Sequence, residues 1–154
     1  MAANLREQLA QAIHKNYLRA QQGKLPPDDP AMQPWESLRE ILKEANRQQV
    51  DQIVKKLEAI RCEIVPVVGR KPVKFEFTGP ELEFLSQMEH RRWMEDKIRS
   101  GWHYGAVRDH DKKTYSSLTP WEDLPEDERE KDRQAVLAIP ELLAAVGFEI
   151  RRIN

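Results

Sequence analysis

Apolar residues return every fourth position near the start of the chain, at Leu5, Leu9, Ile13 and Tyr17. That period marks one face of a helix, predicted over about residues 3–21. Gly23 and the Pro-Pro-Asp-Asp-Pro run at 26–30 stop it. A second helix is predicted over roughly 36–61, broken near 43–45, because Val50, Ile53, Val54, Leu57 and Ile60 form a buried stripe. The runs 64–68 and 73–77, separated by Gly69, read as short strands. Thr78-Gly79-Pro80-Glu81 opens a third helix, with proline in its first turn. Gly101 is suited to end it in the left-handed conformation. A fourth helix opens at Pro125-Glu126-Asp127-Glu128, where acidic residues complement the helix dipole, and ends at Gly147. Pro140 lies inside it and predicts a kink or a division. Residues 148–153 close the pattern as a strand, so the expected class is mainly α with short β-strands, an α+β fold.

The same pattern occurs twice. Residues 34–67 align without gaps on 120–153, with about 14 of 34 positions identical. Pro34-Trp35-Glu36 lies over Pro120-Trp121-Glu122, Asn46-Arg47-Gln48 over Asp132-Arg133-Gln134, and both copies close on Glu-Ile. Upstream, His14 and Tyr17 fall over His90 and Trp93, a spacing that sets each pair on one helix face. Repetition of this kind predicts duplicated supersecondary units. The expected organisation is a degenerate first repeat at 1–68, a strand and linker at 69–80, and a complete second repeat at 81–154. The two are expected to pack about a pseudo-two-fold axis as one compact domain. The second copy is about ten residues longer, and its extra length holds Gly101-Trp102-His103-Tyr104-Gly105-Ala106-Val107-Arg108-Asp109.

Charge and cysteine content narrow the setting. Twenty-five Lys and Arg against 26 Asp and Glu leave a formal net charge of -1, so no overall field draws the chain to nucleic acid or an anionic membrane. Cys62 is the single cysteine and has no internal disulfide partner. No run approaches membrane-spanning length and no secretory pattern stands at residue 1, so a cytoplasmic protein is expected.

Residues 90–113 hold the strongest candidate chemistry, since Trp93, Trp102 and Tyr104 interleave with Arg91, Arg92, Arg108, Lys112 and Lys113. Flat rings stack a base and guanidinium groups meet phosphate, which together suit a nucleotide. Trp102, in a Gly-flanked loop absent from the first copy, suits ligand contact and packing equally. Trp35 and Trp121 read as core anchors ahead of a helix, and Trp93 and Tyr17 lie on helix stripes. His14 and His90 suit hydrogen-bonded core positions as well as ligand contact. Arg47 and Arg133 suit pairing with Glu44 and Glu130, or a shared anionic ligand. Neither a phosphate-cradling glycine loop nor a nucleophile motif is present, and no His-Glu-x-x-His spacing or second cysteine supplies metal ligands. No catalytic residue, metal or cofactor is expected.

The string Gly101-Trp102-His103-Tyr104-Gly105-Ala106-Val107-Arg108-Asp109, then Lys112-Lys113-Thr114, Leu118-x-Pro120, Leu124-Pro125-Glu126 and Asp132-Arg133, resembles the RyR domain named after the ryanodine receptors. The resemblance covers about 82–153, and the first repeat looks like a shortened member. It implies tandem, mostly helical repeats and binding in place of catalysis, with an adenine nucleotide held near the cleft between repeats. The tryptophan of the family's Gly-Trp-x-Tyr element is matched only by Trp102, so a symmetric pair of tryptophans is not implied.

The expected function is a sensor or sequestering domain for an anionic, nucleotide-like small molecule. Trp102, Tyr104, Arg108, Lys112, Lys113, His90, Trp93, Asp132 and Arg133 are its candidate contacts in the second repeat, with His14, Tyr17, Asn46 and Arg47 in the first. The alternative is a protein-interaction module in which the 101–118 loop docks on a partner or on a second copy of the chain.

Overall fold

The structure, a computed structural model, describes residues 3–153. Helix α1 runs Ala3–Gln21, α2 Glu40–Ala59, α3 Gly79–Arg99 and α4 Glu126–Ala145. Strands β1 (Cys62–Pro66) and β4 (Phe148–Arg152) pair antiparallel, while the two-residue β2 (His103–Tyr104) and β3 (Thr114–Tyr115) pair in parallel. Contacts divide the chain into two compact units, Met1–Phe75 with Pro140–Asn154, and Glu76–Ile139. Among the described residues no helix is long and apolar enough to cross a membrane.

In the first unit, α1 packs on α2 and the middle of each predicted stripe is buried, Leu9 and Ile13 with Ala10 beside them from one helix and Val50, Ile53 and Leu57 from the other. Leu5, Val54 and Ile60 are half-buried, and Tyr17 is exposed. Each of the buried Leu, Ile and Val side chains contributes about 1.5–3 kcal/mol on leaving water. Ion pairs flank the seam, with Arg6 donating to both oxygens of Asp51 at 2.7 and 2.8 Å. The two Glu-Ile endings meet in the sheet, where Ile64 stands opposite Ile150. Gly147 turns the chain from α4 into β4 at φ 87°, a conformation that a side chain would strain.

Two local expectations are corrected, and of the two outcomes expected at Pro140 the division does not occur. The break predicted near 43–45 falls earlier, because Trp35–Ser37 forms a 3-10 turn, Leu38 and Arg39 are extended, and α2 then runs unbroken from Glu40. Asn46, a residue that competes for backbone hydrogen bonds, instead donates its amide to the Leu42 carbonyl within the helix. Residues 73–77 form no strand. The Val73 amide donates to the Glu149 carboxylate at 2.9 Å, and Arg152 stacks on Phe75 at 4.8 Å, so this segment is tied down by side chains. Pro140 does not divide α4, although it removes the hydrogen bond to the Val136 carbonyl, and the boundary between the units falls at this residue.

Glu149 carries a testable charge. Its buried carboxylate accepts two hydrogen bonds from Arg70, both 2.9 Å, and one from Val73. Arg70 first and the Val73 amide second hold its pKa down to about 2, against an ordinary 4.5. The ionised form is favoured by folding, so its stabilisation is present above pH 4.5 and is lost as pH falls toward 2. In acid unfolding followed by circular dichroism, Glu149→Gln is expected to flatten this part of the profile.

In the second unit, Thr78 and Glu81 form a reciprocal capping box that starts α3. Gly101, at φ 93°, ends the helix turn and releases the loop. Leu85, Leu118, Leu124, Val136 and Ile139 are buried, together with Ser86, His90 and Ser117.

Candidate functional site

The buried polar residues of the second unit lead to its chemistry. Helix α3 sets His90 and Trp93 on one face, three residues apart, with their rings stacked at 5.9 Å. Trp121, presented by the 3-10 turn before α4, tilts onto the same imidazole at 6.1 Å. His90 Nε2 donates to the Thr119 carbonyl at 2.7 Å, while Nδ1 faces the Asp132 carboxylate at 3.5 Å. Both nitrogens thus face acceptors. Burial works against the charged ring, but Asp132, the Thr119 carbonyl and Glu128 outweigh it, and the pKa is raised above 6.5.

A hollow of about 220 Å³ opens beside this cluster, lined by His90, Trp93, Tyr115, Ser117, Leu124, Glu128, Lys131 and Asp132. A larger one of about 700 Å³ adjoins it, sharing Tyr115, Ser117 and Glu128 and adding Tyr104, Arg108, Asp123 and Asp127. Tyr115 meets Trp93 edge-on at 5.4 Å and carries the Arg108 guanidinium over its ring at 4.7 Å. Lys131 holds Glu128 at 2.9 Å. Ser117 is buried as a residue, at a relative exposure of 6%, and its hydroxyl makes no hydrogen bond to any described residue. Since no buried side-chain oxygen among the described residues lacks a partner, that hydroxyl is open to the hollow and not sealed in the core. The indole N–H of Trp93 and the phenol of Tyr115 are likewise without protein partners among the described residues. Open donors and acceptors at the wall of an aromatic-lined hollow have the chemistry of a small-molecule site.

Residues 80–152 match the family model of the RyR domain. The chain carries a RyR domain. The match spans just under half of the sequence and includes every residue that lines the two hollows.

The RyR domain brings together only part of the candidate set. His90, Trp93 and Asp132 line the inner hollow, and Tyr104 and Arg108 the outer one. Trp102 lines neither. It is half-buried against His110 at 5.4 Å and Tyr115 at 6.4 Å, with Lys97 4.9 Å over its ring. Lys113 donates to the Ser100 carbonyl at 2.9 Å, closing the end of α3, and Lys112 is exposed on the same turn.

Arg133 is engaged by protein carboxylates. It pairs with Glu83 at 3.1 Å and with Glu126, not with Glu130, and stands over Trp121 at 5.8 Å. Those partners raise its pKa further and occupy the fork that phosphate would need. Arg47 repeats the arrangement in the first unit, pairing with Glu7 and Glu40 as well as the expected Glu44 and standing 5.6 Å over Trp35. His14 donates to the Gln33 carbonyl at 2.6 Å and contacts Tyr17 and Trp35 there. Trp35 and Trp121 are therefore half-buried rings between a histidine and an arginine, not fully buried anchors.

Five residues lining the inner hollow are not among the candidate contacts: Tyr115, Ser117, Leu124, Glu128 and Lys131. The spacing Glu128-x-x-Lys131-Asp132, which sets three charges on one face of α4, is the signal that could have found the last two. Among the described residues no three His, Cys, Asp or Glu side chains converge as metal ligands.

Proposed function

We propose that the RyR domain of this chain is a non-catalytic capture module, a sensor or a sequestering domain, for a flat, anionic, nucleotide-like molecule held in the hollow beside Trp93 and Tyr115. The observation that carries this reading is the aromatic-walled recess itself, onto which the Ser117 hydroxyl opens without a partner among the described residues. A base stacked on Trp93 or Tyr115 contributes roughly 1–3 kcal/mol. Arg108 has no ion pair among the described residues and lies over Tyr115, so a ring that takes its place frees the guanidinium for phosphate, with Lys112 nearby in sequence. A catalytic role is disfavoured because the ring nitrogens of His90 already face the Thr119 carbonyl and Asp132. A cytoplasmic setting, where nucleotides abound, goes with this reading.

Binding to the folded state must raise the melting temperature, by about 2.7 kcal/mol of added stability at a hundredfold excess over Kd. A panel of mono-, di- and cyclic nucleotides is expected to contain at least one such ligand, and Trp93→Ala is expected to weaken it about 5- to 150-fold. A silent panel, or a response that survives Trp93→Ala and Tyr115→Ala unchanged, removes the proposal. The second reading, a docking surface for a protein partner or another copy of the chain, draws on Tyr104 and Val107, which are 60% and 73% exposed on the loop.

A further inference from the structure

The inner hollow has a polarity of its own. Glu128 and Asp132 stand four residues apart on α4, so their carboxylates share one helix face, and both line the compartment of about 220 Å³. Each has one basic side chain within 4 Å, Lys131 at 2.9 Å from Glu128 and His90 at 3.5 Å from Asp132. A carboxylate nevertheless offers about four lone-pair sites, and one partner leaves most of them free.

What enters must donate hydrogen bonds. A phosphate turned inward would meet two carboxylates, whereas an amine or ring N–H would find acceptors on one wall and the partnerless Ser117 hydroxyl on another. In the first copy of the motif the position of Asp132 is taken by Asn46, whose amide nitrogen donates to the Leu42 carbonyl, so the carboxylate belongs to the second copy alone.

Resting on the ligand reading above, we propose that Glu128 and Asp132 are specificity-determining residues. They select ligands whose flat ring carries an amine or N–H edge, hold that edge inward with Ser117, and leave the anionic end to face Arg108. The class is an aminated nitrogen heterocycle, and the exocyclic amine is what is read.

Calorimetric titration of the intact chain with pairs that differ by one amine tests this: guanosine against inosine, and adenosine against purine riboside. The amine-bearing member is expected to bind at least about tenfold tighter, the ordinary effect of a hydrogen bond to a charged group. Glu128→Gln with Asp132→Asn is expected to bring the ratio to within about twofold. Melting curves of the variant establish that it is folded, and asparagine at the matching position of the first copy shows that this helix face tolerates it. Ratios near one in the unmodified chain, or a preserved ratio in the double variant, overturn the assignment.

The fragment pair 2-aminopyridine and pyridine fits the inner compartment without any phosphate and separates the two readings. If nucleosides and nucleotides fail but 2-aminopyridine binds with the same dependence on Glu128 and Asp132, the nucleotide reading falls and the specificity assignment stands. If neither fragment nor nucleoside binds, both fall.

Discussion

Replacing His90 with alanine is expected to lower the stability of its unit by about 2–4 kcal/mol, measured by urea unfolding. The imidazole is buried and touches Trp93 and Trp121, so its removal leaves a cavity between two large rings. It also leaves the Thr119 carbonyl without its donor and Asp132 without the charge beside it. The magnitude belongs to the sum: a lost buried hydrogen bond costs about 1–3 kcal/mol, and the void adds to it. The pH dependence carries a sign that a merely apolar core residue would not give. The pKa of His90 is raised in the folded chain, so the charged ring is favoured by folding. Its contribution is complete below the ordinary value of 6.5 and is lost as pH climbs through the raised folded value. Unfolding midpoints should fall over that window in the unmodified chain and stay level in His90→Gln. A flat profile in both would mean that the Asp132 contact adds nothing.

Local signals carry the parts of the fold that were legible in the sequence. The capping box at Thr78 and Glu81, the four-residue stripe of α1 and the glycines that release α3 and α4 each act within a few residues, and their positions in the chain suffice. The strand expected at 73–77 failed for the opposite reason: an alternating pattern says that a segment can pair, and here Glu149, 76 residues away, takes the Val73 amide. The two arginines were legible as ion-pairing residues, but the partners Glu7 and Glu83 lie 40 and 50 residues from them, on other helices. The site shows the same division. His90 and Trp93 are one turn of one helix, whereas Tyr115 and Ser117 reach them only because the loop after Gly101 folds back through β2 and β3. Trp102, the most conspicuous residue of that loop in sequence, ends as a wall between Lys97, His110 and Tyr115. Its environment makes it a support for Tyr115, one ring removed from the hollow.

That dependence on the loop makes Gly105→Ala the most damaging small change expected in the RyR domain. A Cβ at Gly105 would lie 2.5 Å from Thr114 Cβ and 2.9 Å from its Cγ2, closer than side chains approach one another. Thr114 has little freedom to yield, because its amide and carbonyl both exchange hydrogen bonds with Asp109 at 3.0 Å and its hydroxyl donates to the Val107 carbonyl at 2.8 Å. The strain must pass to the β2–β3 pairing, where His103 donates to the Lys113 carbonyl and Gly105 to that of Tyr115. Overpacking of this kind costs about 1–3 kcal/mol. Tyr115 follows Thr114 directly, and Ser117 lies two residues further on, so displacement of β3 carries two walls of the hollow with it. Gly105→Ala is therefore expected to reduce both the melting temperature and any ligand-dependent shift. The acid transition governed by Glu149, in the other unit, should be untouched. Thr114→Gly removes the atoms that the new methyl strikes, and in the Gly105→Ala background it should restore part of the lost response. If Gly105→Ala melts and binds like the unmodified chain, the close approach of these two residues is not what holds the loop against α3.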